Sequence, residues 1–232
     1  MNICTIATEG AWLNKHLPRW VRQIKNNNKD FKLYLILAID NEEILHPRHE
    51  TIREFEDVKV YPLSVADRPW FNEVRMGATE IFGVDEMLYL DCDCDVIENI
   101  EDIPKKSDKP LMFVKSPAIH KSFFNISQKL GHGMPDWMGD NCLLYMREDF
   151  TERYKNARRK VRKVKNEPRV VGTANFNIML RENPDIWDVL PKEYGTIWWQ
   201  ADKWLDAKII QYCNDTGQEK RLKLEEIWED AK

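Results

Sequence analysis

The chain has 232 residues, 43% of them hydrophobic and 11% aromatic, enough to bury a sizeable core. Its 35 Lys and Arg against 39 Asp and Glu leave a net charge of -4, which excludes a basic coat for nucleic acid but not a local basic patch. No run approaches the roughly 20 apolar residues of a membrane-spanning helix. Five cysteines (Cys4, Cys92, Cys94, Cys142 and Cys213), an odd number spread through apolar runs, fit reduced thiols better than a disulfide framework. With no basic lead-in or cleavage site at Met1 to Gly10, the expectation is a soluble, cytoplasmic protein.

Asn2 to Thr8 is a short apolar, β-branched run that reads as a buried strand. Trp12 to Asn26 carries apolar residues at helical spacing (Leu13, Leu17, Trp20, Val21, Ile24) and stops at Asn26-Asn27-Asn28. Phe31 to Ile39 is almost continuously apolar, the mark of a strand covered on both faces. Glu42 to Phe55 is weakly helical and Val58 to Leu63 is another short strand. Strand, helix, strand, helix, strand predicts a mainly parallel sheet flanked by helices, an α/β Rossmann-like class in a single domain.

Phe71 to Phe82 predicts a helix closed by Gly83. Glu86 to Leu90 is a strand that runs straight into Asp91-Cys92-Asp93-Cys94-Asp95. Further strands are expected at Leu111 to Lys115 and Cys142 to Met146, with a polar, aromatic pocket wall between them at His120 to Asp140. Thr151 to Arg169 is densely basic. A helix begins at Asn175 to Leu180, Ile186 to Leu190 follows, and Ile209, Ile210 and Tyr212 precede a charged tail at about 218–232 that reads as an amphipathic helix.

The acids carry the chemistry. In open α/β sheets ligands gather at the carboxyl ends of strands. Asp91 and Asp93 stand two apart at such an end, where their hard oxygens can converge on one Mn²⁺ or Mg²⁺. Like charges packed there are costly unless a cation compensates. Asp95 adds a third oxygen or caps the turn. The bland alternative is a solvated acidic loop. Cys92 and Cys94 form a C-x-C pair without the second pair that a zinc site needs. Neither phosphate-binding nor dinucleotide-binding glycine loops occur.

The run Met87-Leu88-Tyr89-Leu90-Asp91-Cys92-Asp93-Cys94-Asp95-Val96-Ile97-Glu98-Asn99-Ile100 resembles the LYLDxDxxVxxNI segment of the glycogenin-like and galactosyltransferase-like (family 8-type) enzymes, which are GT-A-fold glycosyltransferases. Weaker matches follow in order. Gly139 to Met146 is similar to the family's FNxGvmvl strand, and Asn175-Phe176-Asn177 with Trp187 to Tyr194 resembles its DQxxlN…wxxLPxxYN segment. Lys208 to Asn214 is similar to its late IIHYNG strand. The resemblance implies a nucleotide-sugar donor, UDP-linked, with Thr5, Ala7 and Thr8 flanking the nucleoside and Arg75, Asp91, Cys92 and Asp93 at the donor phosphates and sugar. It implies a metal held by Asp91 and Asp93, with Gln211 where the family has a His. Two further departures are Thr173-Ala174 in place of DQ and Gly217-Gln218-Glu219-Lys220 in place of KPW.

A diphosphate leaving group develops negative charge, which a divalent ion or a cation such as Arg75 or Lys220 stabilises. An inverting enzyme also needs a base for the acceptor hydroxyl, for which Asp136, Asp140 and His132 are candidates. Trp137 and Trp198 are acceptor candidates by stacking, although such residues are more often core. In the basic stretch, Arg158 and Arg159 are candidates for an anionic acceptor such as DNA, as in viral enzymes that glycosylate hydroxymethylated bases, or a polysaccharide or lipid-linked acceptor. The rival readings are a polyanion-binding module built on residues 151–169, and a nucleotidyltransferase, for which Glu9-Gly10-Ala11 is a poor phosphate loop.

Overall fold

The computed structural model describes residues 1–8, 16–40, 50–65, 68–116, 119, 121–164, 172–197 and 206–211. The first strand, β1 (Asn2–Thr8), pairs in parallel with β2 (Lys32–Ala38), and β2 with β3 (Asp57–Tyr61). On its other side β1 pairs in parallel with β4 (Met87–Leu90), the strand that leads into the acidic run. Three more strands complete a seven-stranded sheet: β6 (Leu111–Lys115), β7 (Gly139–Met146) and β8 (Trp187–Val189), in spatial order β3-β2-β1-β4-β7-β6-β8. Here β7 runs antiparallel to both neighbours, so the sheet is mixed rather than parallel throughout. A second, three-stranded sheet joins β5 (Cys94–Val96), β10 (Ile209–Gln211) and β9 (Thr196–Ile197).

Alternation of side chains along the strands divides the core in two. Ile3, Leu35 and Leu88 face α1 (Leu17–Asn27), which buries Leu17, Trp20, Val21 and Ile24, as the helical spacing predicts. Pro18 suits its first turn, where no amide partner is lost. The helix stops at Asn28, whose extended backbone still returns its N–H to Ile24. Cys4, Ile36 and Tyr89 face the opposite layer, built from α2 (Arg68–Met76), α4 (Lys121–Lys129), α5 (Thr151–Val164) and α6 (Gly172–Glu182).

The structure revises several boundaries. The single helix expected over 71–82 is two, α2 and α3 (Ala78–Phe82), broken at Gly77, where a Cβ would stand only 2.7 Å from the Thr151 hydroxyl. The stretch expected as a pocket wall contains α4. Of the weak helix expected over 42–55, the described part is a 3₁₀ turn at Glu50–Glu54. The charged tail at 218–232 and the start of the helix expected from Trp12 lie outside the described residues. Among the described residues no helix is long and apolar enough to cross a membrane.

Candidate active site

At the carboxyl end of β4 the chain turns sharply. The Asp91 amide donates to the Cys142 carbonyl of β7 at 2.8 Å, and the Cys94 amide closes the turn on the Asp91 carbonyl at 3.1 Å. β5 then pairs antiparallel with β10, setting Cys94 opposite Gln211. The acidic run is thus held between the two sheets.

A cleft of about 420 Å³ opens beside this turn. Its floor and polar wall are Tyr89, Asp91, Cys92, Asp93 and Arg75, and its apolar wall is Ile6, Leu63 and Phe71, with Thr8 at the end of β1. The structure therefore brings together Thr8, Arg75, Asp91, Cys92 and Asp93 of the residues singled out from the sequence. Thr5 and Ala7 are buried and lie on the other side of β1 from Ile6 and Thr8, Ala7 in the core against α1. The sequence reading missed Ile6, Leu63 and Phe71 as cleft residues and took Tyr89 for core alone.

The polar wall is a closed set of contacts. Arg75 reaches from α2 to donate from Nη2 to Asp91 Oδ1 at 2.8 Å and from Nε to the Tyr89 hydroxyl at 3.0 Å. The Tyr89 hydroxyl in turn donates to the same Asp91 oxygen. Burial pushes the Asp91 carboxyl up, opposed by Arg75 and Tyr89. Asp93 is pushed up further, by burial and then by the charge on Asp91. The arginine stays charged although burial disfavours it, because Asp91 and Tyr89 hold its proton. Asp140, at the start of β7, is also raised by burial, while the Cys142 amide at 3.2 Å favours its charged form. Its charge is felt at both Asp91 and Asp93.

Asp140 is held by the residues next to it. The buried side chain of Asn177, in α6, accepts from the Gly139 amide at 2.6 Å and donates to the Gly139 carbonyl at 2.9 Å. No side chain fits at 139, since a Cβ there would stand 2.7 Å from the Phe113 ring. One asparagine thus fixes the start of β7 and, with it, the neighbouring carboxylate.

Asp95 points elsewhere. It is buried on the α1 side, accepting from Arg19 Nη2 at 2.6 Å and Gln23 Nε2 at 3.0 Å. These contacts tie the acidic run to α1, where the sequence suggested a third metal oxygen or a cap on the turn.

Other candidates stand apart from the described cleft. Asp136 is 86% exposed, its carboxylate 3.9 Å from Arg181. Trp137 is half-buried, stacked on Phe113 at a centroid distance of 6.0 Å and packed against Trp187 at 5.0 Å. His132 faces Glu182 at 3.7 Å. Arg158 is paired with Glu73 of α2, and Arg159 with Asn156 in its own helix. Lys155 and Lys160 likewise have carboxylate partners, at 3.2 and 2.7 Å. Trp198 and Lys220 lie outside the described residues.

Two hard carboxylates raised by burial, Asp93 further by the charge on Asp91 and both by Asp140, are a donor set that suits Mn²⁺ or Mg²⁺. Gln211 is buried and in register with Cys94, the residue after Asp93. Among the described residues no group of three or more His, Cys, Asp or Glu is placed to hold a metal ion.

A mixed sheet in this order, with an acid-bearing turn at the exit of its fourth strand and a small second sheet behind that turn, is the GT-A fold. The chain is similar in structure to the galactosyltransferase LgtC in complex with donor and acceptor sugar analogs (TM-score 0.64, 13% identity, 93% of this chain and 88% of that one). It is similar too to mouse xyloside xylosyltransferase 1 in its apo form (TM-score 0.58, 12% identity, 91% and 97%) and to the glycosyltransferase GlyE of Streptococcus pneumoniae TIGR4 (TM-score 0.58, 12% identity, 92% and 54%). At such identities the likeness shows the shared fold. No protein-family profile and no curated protein sequence matches the chain.

Proposed function

We propose that this protein is a glycosyltransferase that moves a sugar from a nucleotide-sugar donor, UDP-linked, to an acceptor hydroxyl. The observation that carries the reading is the pair Asp91 and Asp93, partly neutralised by Arg75, on the wall of a cleft at the carboxyl end of the central strands. Glycosyltransferases with the same fold, LgtC among them with donor and acceptor analogs bound, support it.

In this reading Asp91 and Asp93 hold Mn²⁺ or Mg²⁺, with Gln211 as a weaker ligand. When bound, the ion neutralises charge on the donor diphosphate as the sugar departs. Arg75 supplies a second positive charge at the leaving phosphate without any proton transfer. Thr8 and the apolar wall of Ile6, Leu63 and Phe71 receive the nucleoside. Asp140 faces the donor sugar, orienting it or accepting the acceptor proton. Its burial-raised carboxyl suits a base better than the solvated Asp136 does.

The test is binding and hydrolysis of UDP-, GDP- and CDP-sugars with and without Mn²⁺. A metal-dependent signal for a UDP-sugar supports the reading, and silence across all donors with the protein folded overturns it. An anionic acceptor, DNA or a charged glycan, is favoured by Arg159, Arg162 and Lys163, for which no carboxylate partner is found among the described residues. Its signature is an acceptor affinity that falls steeply with salt.

A further inference from the structure

We infer that the Tyr89 hydroxyl is a positioning residue: it presets the Arg75 guanidinium, beside Asp91, in the orientation that receives a nucleoside diphosphate. The inference rests on the donor-binding reading above and adds to it a residue that the acidic motif does not contain.

Three contacts link Arg75, Tyr89 and Asp91. Arg75 Nε donates to the Tyr89 hydroxyl at 3.0 Å, its Nη2 donates to Asp91 Oδ1 at 2.8 Å, and the hydroxyl donates its own hydrogen bond to that same oxygen. The guanidinium carbon also lies 5.1 Å from the centre of the Tyr89 ring. An arginine side chain on a short helix has several free torsions, and ordering them on binding costs affinity. Tyr89 is fully buried on β4 and cannot move, so it removes that freedom before any ligand arrives. Fixed at Nε and at one Nη, the guanidinium keeps its remaining N–H groups for the cleft that it lines. Both contacts fall on Oδ1, so the Asp91 carboxylate keeps Oδ2 for a cation. One hydroxyl thus assigns the two oxygens of Asp91 to different tasks.

Tyr89→Phe keeps the ring and its stacking and removes only the hydroxyl, which makes a double-mutant cycle with Arg75→Ala decisive. The readout is calorimetric affinity for UDP with Mn²⁺, beside uridine as the phosphate-free control and thermal unfolding as the folding control. Expected is a loss of about tenfold in UDP affinity for Tyr89→Phe, the scale of one charge-assisted hydrogen bond. Uridine affinity should stay unchanged. In the Arg75→Ala background the same substitution should change UDP affinity less than about twofold, because nothing is left to position. Equal losses in both backgrounds, equal losses for UDP and uridine, or no loss at all would overturn the inference. A wild-type protein that binds neither UDP nor GDP with Mn²⁺ overturns the donor-site reading itself, an outcome distinct from wild-type binding that Tyr89→Phe leaves untouched.

Discussion

Within five residues the chain puts one kind of side chain to two opposite uses. Asp91 and Asp93 stand in the cleft with their carboxyls raised by burial and by neighbouring carboxylates, while Asp95 is buried on the other side against Arg19 and Gln23. The first pair is a charge excess awaiting compensation, and the third acid is already compensated. Function therefore follows what faces each carboxylate, not how many there are. Arg75 offsets only part of the charge in the cleft, and leaving such charge short of partners costs stability in the folded state, as is common at sites that recruit a ligand.

That contrast breaks most sharply by substitution. Asp91→Ala or Asp93→Ala should reduce transfer by about a thousandfold or more, the scale of lost charge stabilisation at a leaving group, with the fold intact by circular dichroism. Asp95→Ala should do the reverse. It removes the buried carboxylate that pairs with the half-buried Arg19, costs on the order of 2 kcal/mol in denaturant unfolding, and touches donor affinity only through the loosened turn. Thermal scans separate the two without any substrate. A folded-state carboxyl pKa raised above its unfolded value means that stability falls as pH rises through the range between them. Asp93→Asn should therefore raise the melting temperature at neutral pH by about a few degrees, and Mn²⁺ should stabilise the wild type but not the variant.

A smaller effect sharpens the comparison from a fourth acid. Asp102 accepts from Tyr194 at 2.7 Å and from Lys208 at 3.1 Å, and these with Lys106 outweigh its burial and lower its pKa to about 2. Its stabilisation is complete above the unfolded value near 4 and should fade as pH drops from there toward about 2, opposite in sign to Asp93. Asp102→Asn should flatten that acid limb by a modest amount, because the group is partly exposed. The least effect is expected from Arg162→Glu with Lys163→Glu on α5, which should leave stability within about 0.5 kcal/mol while weakening any polyanion contact and its salt slope.

The alternation of strands and helices, and the strand entering the acids, were legible because both are local patterns. β1 and β6 fall on the expected residues, and β2 within one residue at each end. Direction was not legible. β7 reverses against β4 through pairs such as Tyr89 with Leu144, and nothing in either segment alone encodes that. Of the cleft, the motif marked Asp91 and Asp93, and the resemblance added Thr8, Arg75 and Cys92. Tyr89 was hidden because its apolar neighbours make it read as core, which its ring is. Its hydroxyl and ring face meet Arg75, fourteen residues back. The basic stretch is less free than its sequence implies, since Glu73 and Glu182, which pair with Arg158 and Lys160, come from other elements.

The pairing of Cys94 with Gln211 bears on how the molecule is made. Closing that register spans more than half of the sequence, so loop entropy ranks it among the slowest steps of folding. The large sheet from β1 to β7 pairs without it, whereas the back of the acidic turn is finished only when β10 arrives. During synthesis, then, the core would be nearly complete while the acidic turn still lacked its backing, so that turn should reach its final shape late.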